Sequence, residues 1–546
     1  MAKWMVTAKR ADFDEIGKKF QISPVLARII RNRDVIGDDA IEKYLHGTID
    51  QFYSPWLMKD MEKAVDILVE KISQKKKIRI VGDYDIDGVC ATFILKKSLD
   101  SLGAVTDFYI PNRIEDGYGM NDEIIKKAKE DGVDTILTCD NGIAAISQVE
   151  LAKSLGMTVI ITDHHEVPYE EVDGEKKFLI PAADAVIDPK QEDCQYPFSS
   201  ICGGFVAYKC MEALCRRQNV WPLKEEKELR AVAAIATVGD VMDLLDENRI
   251  LVKEGLELLA NTENIGLKTL IQITGLTDAK LTPYHIGFVL GPCINATGRL
   301  DVAERALHLL LTKSKVEAAT IASELKDLND SRKEMTKEGL EQAAYELVMD
   351  AAKDDVAYIE VRFAPMLSTD KGLNCAEVIE SVVCGLKKGE RESGTYASAI
   401  VCAMRHHSLE QNMEMLQATR PFVGEGMCAL DLAGDESAFP TSLFRELFAQ
   451  AKEWEIPFTI HSGECGSVDN IREAIALGAK RLGHGIALKK SPELRQLCKE
   501  KGIGIEMCPT SNLQTKAVED FNSYPLKEFL EEGLLVSVHT DNRTVS

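Results

Sequence analysis

The 546-residue chain is short of positive charge: 65 Lys and Arg stand against 88 Asp and Glu, a formal net charge of −23. That balance argues against indiscriminate binding to nucleic acid, while leaving room for a local basic groove. Long apolar runs are missing too. No stretch reaches the roughly 18 apolar residues a membrane-spanning helix needs, so no membrane partner is expected. Met1 to Phe20 carries mixed charge and no apolar run of signal-peptide type. The 14 cysteines form no C-x-x-C pair and read as reduced core cysteines of a cytoplasmic protein. Short-period repeats and low-complexity linkers are absent. The length exceeds what one core can hold, and roughly two to four domains are expected.

What is present is a concentration of acids after apolar runs. Ile78-Arg79-Ile80-Val81 reads as a buried strand, followed by Gly82-Asp83-Tyr84-Asp85-Ile86-Asp87-Gly88. On an extended backbone, Asp83, Asp85 and Asp87 face one side. Carboxylates gathered at a strand's carboxyl end repel one another, and a hard divalent cation with oxygen ligands relieves this. A solvated acidic turn is the alternative.

The pattern repeats along the first half. Thr135-Ile136-Leu137-Thr138-Cys139 leads to Asp140, and Thr158-Val159-Ile160-Ile161-Thr162 leads to Asp163-His164-His165. Ala236-Thr237-Val238-Gly239 leads to Asp240 in the same way. Strands ending in acids and separated by helices imply a parallel sheet with one shared polar rim. Asp85, Asp87, Asp140, His164 and Asp240 could hold two metals, a pair that would clamp the attacking and leaving oxygens of a phosphodiester displacement.

Gly82–Gly88, Cys139-Asp140-Asn141-Gly142-Ile143, Asp163-His164-His165 and Gly239-Asp240-Val241 resemble the four motifs of the DHH phosphoesterase family. Pro111-Asn112-Arg113 with Asp116-Gly117-Tyr118-Gly119, Cys202–Ala207 and Gly291–Leu300 resemble motifs of its RecJ-type branch of single-strand-specific 5′→3′ DNA exonucleases. Cys293 stands where that branch usually has Arg. The resemblance runs from about residue 20 to about residue 340 and implies Asp85, Asp87, Asp140, His164 and Asp240 as ligands of two Mn2+ or Mg2+ ions. It also implies Asp83 and Asp163 in support, His165 against the scissile phosphate, and Arg113 and Arg299 on the nucleic acid. For either arginine a surface salt bridge is the alternative. Single-stranded DNA or short oligonucleotides would be the partners.

Val302 to Ala352 reads as long charged helix. RecJ-like chains continue into a DHHA1 domain, but no Gly-Gly-His signature follows residue 300, and around Gly339 to Tyr345 the sequence changes family. Seven strand candidates then recur between helical segments, from Val356–Phe363 to Leu535–His539, which suggests most of a TIM barrel with chemistry at the strand carboxyl ends. For any single histidine there, a hydrogen-bonded core residue is the alternative.

This half resembles the adenosine deaminase family in Leu432-Ala433-Gly434-Asp435-Glu436, Thr459–Glu464, Gly483-His484-Gly485, Cys508–Asn512 and Thr540-Asp541-Asn542. The resemblance implies His461 and Asp541 as ligands of Zn2+ and Glu464 as proton donor to the purine. It further implies His484 as the base, and Gly434 and Asn542 at the substrate, adenosine. The His-x-His pair that such enzymes carry on their first strand is nowhere in the chain. His406 and His407 are adjacent and would diverge if extended.

The expected fold class is therefore α/β. A helical segment (1–70) would precede a parallel-sheet DHH domain (71–260), a helical connector without DHHA1 (261–342) and an incomplete (β/α)8 barrel (343–546). The leading function is a two-metal exonuclease of RecJ type. Adenosine deamination, a bifunctional fusion, or an inactive product of a joined reading frame are the alternatives.

Overall fold

In a computed structural model, residues 9–112, 119–172, 175–300, 304–369 and 372–541 are described. The chain divides into two compact units at Arg332/Lys333.

The first unit is built on five parallel strands: β1 (Lys77–Val81), β2 (Val105–Tyr109), β3 (Thr135–Cys139), β4 (Thr158–Thr162) and, after an antiparallel hairpin of β5 (Tyr169–Val172) and β6 (Glu175–Phe178), β7 (Ala185–Ile187). Their order is β2-β1-β3-β4-β7, and every neighbour runs parallel. The Ile- and Val-rich runs of β3 and β4 are buried almost throughout, as a sheet covered by helices on both faces requires. Residues of the helix Ile86–Ser101, of Gly203–Arg217 and of Glu226–Gly239 join β1 in one core. Arg79, buried in β1, pins the edge of the sheet. Its guanidinium donates to both Asp107 oxygens at 2.9 and 2.6 Å and to Asp131 at 2.9 Å.

Three expectations need correction here. The backbone does not stay extended through Asp87: β1 ends at Val81, Asp85 is the N-cap of the helix Ile86–Ser101, and Asp87 lies in its first turn. Asp240 follows no strand but caps the carboxyl end of the helix Glu226–Gly239, since the apolar run before it is a buried helix face. The long charged helix is interrupted: Glu304–Leu311 ends, and a second helix runs Lys315–Lys353 with Ser314 turning its start.

The second unit carries β8 (Tyr358–Phe363), β9 (Tyr396–Met404), β10 (Met427–Ala433), β11 (Thr459–Ser462), β12 (Arg481–His484), β13 (Gly504–Met507) and β14 (Leu535–Val538). All pairings are parallel and follow chain order, as β8-β9-β10 and β11-β12-β13-β14. Among the described residues one bridge, Leu430 with Phe458, joins the two sheets. Side chains from β8 reach across the curled surface: Arg362 pairs with Glu506, and Glu360 meets Arg481 at 2.5 Å. Among the described residues no pairing joins β14 to β8. All 14 cysteines are free; Cys384 and Cys465 are exposed, so not all are core residues. Among the described residues no helix is long and apolar enough to cross a membrane.

Candidate metal centres

The carboxyl rim of the first sheet gathers the acids. Asp140 follows β3, Asp163 and His164 follow β4, and the helix starting at Ile86 brings Asp85 and Asp87 across. His164 Nε2 lies 3.1 Å from Asp140 Oδ1, 3.5 Å from Asp87 Oδ2 and 3.7 Å from Asp240 Oδ2. Ligand atoms of Asp83, Asp85 and Asp140 lie within 4.8 Å of one another, as do those of Asp87, His164 and Asp240.

Each group is held from behind. Asp85 accepts from the amides of Asp87 and Gly88 at 2.9 and 3.0 Å, its own helix-capping bonds. Asp87 accepts from the amides of Gly203 and Gly204 at 2.6 and 2.7 Å, at the start of the helix Gly203–Arg217. Those glycines permit the approach. A Cβ on Gly203 would stand 2.7 Å from that of Asp140, and one on Gly204 would stand 2.6 Å from that of Ala236. Gly203→Ala is expected to push Asp140 aside and weaken Mn2+ binding by about tenfold or more, read by isothermal titration calorimetry. The Asn295 side chain accepts from the Ile86 amide at 2.7 Å, so the helix Gly291–Leu300 fixes the loop between β1 and its helix.

The electrostatics fit divalent cations. Burial, with Asp85 adjacent, lifts the Asp83 carboxyl to about 7. Burial, with Asp87 adjacent, does the same to Asp240 and holds the Asp140 carboxyl well above the usual carboxylate range. Burial lowers His164 and favours the neutral imidazole a metal requires, and its Nδ1 has no hydrogen-bond partner among the described residues. His165 is different. Its Nδ1 lies 2.7 Å from Asp163 Oδ1, and that bond raises its pKa. Asp163 Oδ2 in turn accepts from the Ile143 amide at 2.9 Å. A cleft of about 500 Å3 opens beside His165.

In the second unit His461, His484 and Asp541 bring one ligand atom each within 4.8 Å of the others. His461 Nδ1 lies 2.8 Å from the buried Asp431 Oδ2. His484 Nδ1 meets Asn512 Nδ2 at 2.9 Å, and its Nε2 is 3.5 Å from Glu464. Arg405, buried, donates to the His461 carbonyl and the Phe439 carbonyl at 2.7 Å each. Glu436, also buried, accepts from the amides of Gly463 and Cys465 at 2.8 and 2.6 Å and so shapes the loop that presents Glu464. Glu436→Ala is expected to cost this unit about 1–3 kcal/mol by stranding those amides, read by urea denaturation of the full chain. His406 and His407 stand in a turn after β9 rather than extended, with ring centroids 4.4 Å apart, and neither joins the His461 group. Together His461, His484 and Asp541 offer one cation three ligand atoms, from two imidazoles and a carboxylate, the number a catalytic zinc takes from protein.

In Asp140, His484 and Asp541 the backbone is left-handed, with φ of 61°, 63° and 65°.

The DHH family, N-terminal domain, matches residues 77–239, and adenosine deaminase matches residues 328–546. The single-stranded-DNA-specific exonuclease RecJ of Bacillus subtilis (strain 168) is 37% identical over 360 residues, covering 65% of this chain and 43% of the relative. The adenosine deaminase of Clostridium botulinum (strain Okra / Type B1) is 41% identical over 260 residues, covering 45% of this chain and 77% of the relative. The chain is thus a DHH-family domain followed by a segment of the adenosine deaminase family. It spans less than half the length of the Bacillus RecJ. A solved structure of RecJ from Thermus thermophilus in complex with Mn2+ shares the fold, at a TM-score of 0.50 and 24% identity over 85% of this chain and 65% of that one.

Within the DHH-family domain, sequence reasoning passed over Asp188. It follows β7, is fully buried, and burial lifts its carboxyl to about 7. Val186-Ile187-Asp188 has the same apolar-then-acid form as the other strand ends, only shorter. Arg113, Asp116, Gly117, Tyr118 and Asn542 lie outside the described residues, as does the side chain of Arg299. In the deaminase-family segment Gly434 follows β10 with a φ of 110°.

Proposed function

We propose that the DHH-family domain is a divalent-cation-dependent phosphodiesterase that releases nucleotides from the 5′ end of single-stranded DNA or short oligonucleotides. The convergence of Asp85, Asp87, Asp140, His164 and Asp240 on one buried rim carries this reading. These five residues would hold two cations, Mn2+ or Mg2+, with Asp83 behind them. Bound there, the cations would supply Lewis acidity toward phosphoryl oxygens and an acidified water. The chain's own residues do the rest. Asp163 fixes the ring of His165 and favours its charged form, which suits a contact to the scissile phosphate. Arg113 and Arg299 would bind the strand's phosphates, where a guanidinium fork matches the oxygens.

With His484 taken as its base, the deaminase-family segment would keep only His461 and Asp541 as ligands, short of the three a catalytic zinc takes, and is proposed not to deaminate adenosine by itself. His461, Asp541, Glu464, His484, Gly434 and Asn542 would keep the positions without the reaction.

The test uses the full chain, Mn2+ and 5′-phosphorylated single-stranded DNA, with adenosine in parallel. Nucleotide release that stops on chelation and returns with Mn2+, with no change in adenosine absorbance, is the expected result. No release under any metal would remove the phosphodiesterase reading. Adenosine conversion abolished by Glu464→Ala would remove the second statement.

A further inference from the structure

Three donors of the second unit meet where three strands end. His461 lies in β11, His484 ends β12, and Asp541 follows β14. β11 and β12 are paired, with His461 opposite Gly483. A Cβ on Gly483 would stand 3.3 Å from His461 Cγ, so the glycine leaves that ring room to lean toward His484, and the two ring centroids are 5.2 Å apart. His484 and Asp541 both turn in left-handed backbone, a strain that a fold keeps where a side chain must be aimed.

The ring nitrogens are committed differently. His461 Nδ1 faces the buried Asp431 Oδ2 at 2.8 Å, the outer bond typical of a metal-ligating histidine, which leaves Nε2 for a cation. His484 Nδ1 faces the Asn512 amide at 2.9 Å, while its Nε2 stands 3.5 Å from Glu464, at the far limit of a hydrogen bond. In this orientation Asn512 Nδ2 donates to Nδ1, and Asn512 Oδ1 accepts from Tyr524 Oη at 3.1 Å. Turned over, the amide would accept from Nδ1–H and donate to the same hydroxyl. Both bonds would survive, and Nε2 would gain a free lone pair. Glu464, half-buried, has solvent to turn toward.

Two imidazoles and a carboxylate suit Zn2+. Bonds of about 2.0–2.2 Å set tetrahedral ligands roughly 3.4 Å apart. Atoms already within 4.8 Å of one another therefore need to close by no more than about 1.5 Å. We propose that His484 Nε2 serves with His461 Nε2 and the Asp541 carboxylate as the third protein ligand of one Zn2+, which ties the end of the edge strand β14 to β11 and β12. The metal then has a structural task, and His484 is no longer free to act as a base. This goes beyond the reading of the segment as unable to deaminate adenosine, and its test uses no activity.

The full chain is dialysed against Zn2+ and the bound metal is counted by atomic emission. Since the rim of the DHH-family domain can also take zinc, His461→Ala defines the site: it is expected to bind one Zn2+ fewer than the wild type. His484→Ala should lose the same equivalent. Asn512→Leu should weaken that equivalent at least tenfold, which it would not do beside a histidine that is no ligand. The wild type should exceed His484→Ala in urea midpoint by more in Zn2+ than in EDTA. A His484→Ala protein that keeps the equivalent, or a wild type that binds no more zinc than His461→Ala, would overturn the proposal. Should His484→Ala fail to fold, undiminished zinc affinity in Asn512→Leu overturns it alone.

Discussion

Asp87→Ala is expected to reduce phosphodiester hydrolysis by about a thousandfold or more. It should also lower the stability of the DHH-family domain by about 1–3 kcal/mol. The two effects have different origins. Hydrolysis falls because Asp87 Oδ2 faces His164 Nε2 at 3.5 Å, among the proposed ligands. Stability falls because the same carboxylate accepts from two amides at the start of the helix Gly203–Arg217, where the helix dipole also favours negative charge. Relief of repulsion between Asp87 and its acidic neighbours offsets part of the loss. Asp240→Asn separates the effects. Asp240 is partly exposed and no helix start rests on it, so activity should fall while stability stays within about 0.5 kcal/mol. Urea titrations of both variants, paired with the DNA assay, decide the matter. An Asp87→Ala protein as stable as the parent, or still hydrolysing, would contradict this account of the rim.

The second large effect lies further along the same helix. Lys209 and Glu247 are fully buried and paired at 2.8 Å. Lys209 Nζ also donates to the Tyr53 carbonyl at 2.8 Å, while Glu247 accepts from the Tyr53 amide at 2.7 Å and from Tyr196 Oη at 2.5 Å. The rings of Phe52 and Phe205 face the ammonium at 4.6 and 5.2 Å. Burial lowers the Lys209 pKa, so the charged form survives through these partners. Lys209→Ala leaves Glu247 buried without its cation and is expected to cost about 3–5 kcal/mol. Lys209→Met with Glu247→Gln should cost clearly less, because no lone charge remains. If the single variant loses under about 1 kcal/mol in urea titration, the pair is not holding this core together.

Sequence and structure agree where a signal is local. The runs before Asp140 and Asp163 are β-branched and short, and they are strands. The seven strands of the second unit were likewise legible from their spacing. Disagreement arose where periodicity is silent. Ala236–Gly239 is apolar at every position, and a helix buried on all sides reads the same as a strand. Asp85 and Asp87 looked like alternating strand positions because a helix cap begins on extended backbone. β7, three residues long, is too short to register, so Asp188 went unnoticed. The support for Asp87 could not be read at all, since Gly203 and Gly204 lie more than a hundred residues away along the chain.

The left-handed backbone shared by Asp140, His484 and Asp541 bears on how this protein can be engineered. Residues with a Cβ are strained there, by about 1–3 kcal/mol in general, and glycine would relieve it. At Asp140 glycine would also discharge a buried acid. Selection for heat resistance alone would therefore drift toward glycine at that position, and the most durable variants recovered would be the inert ones.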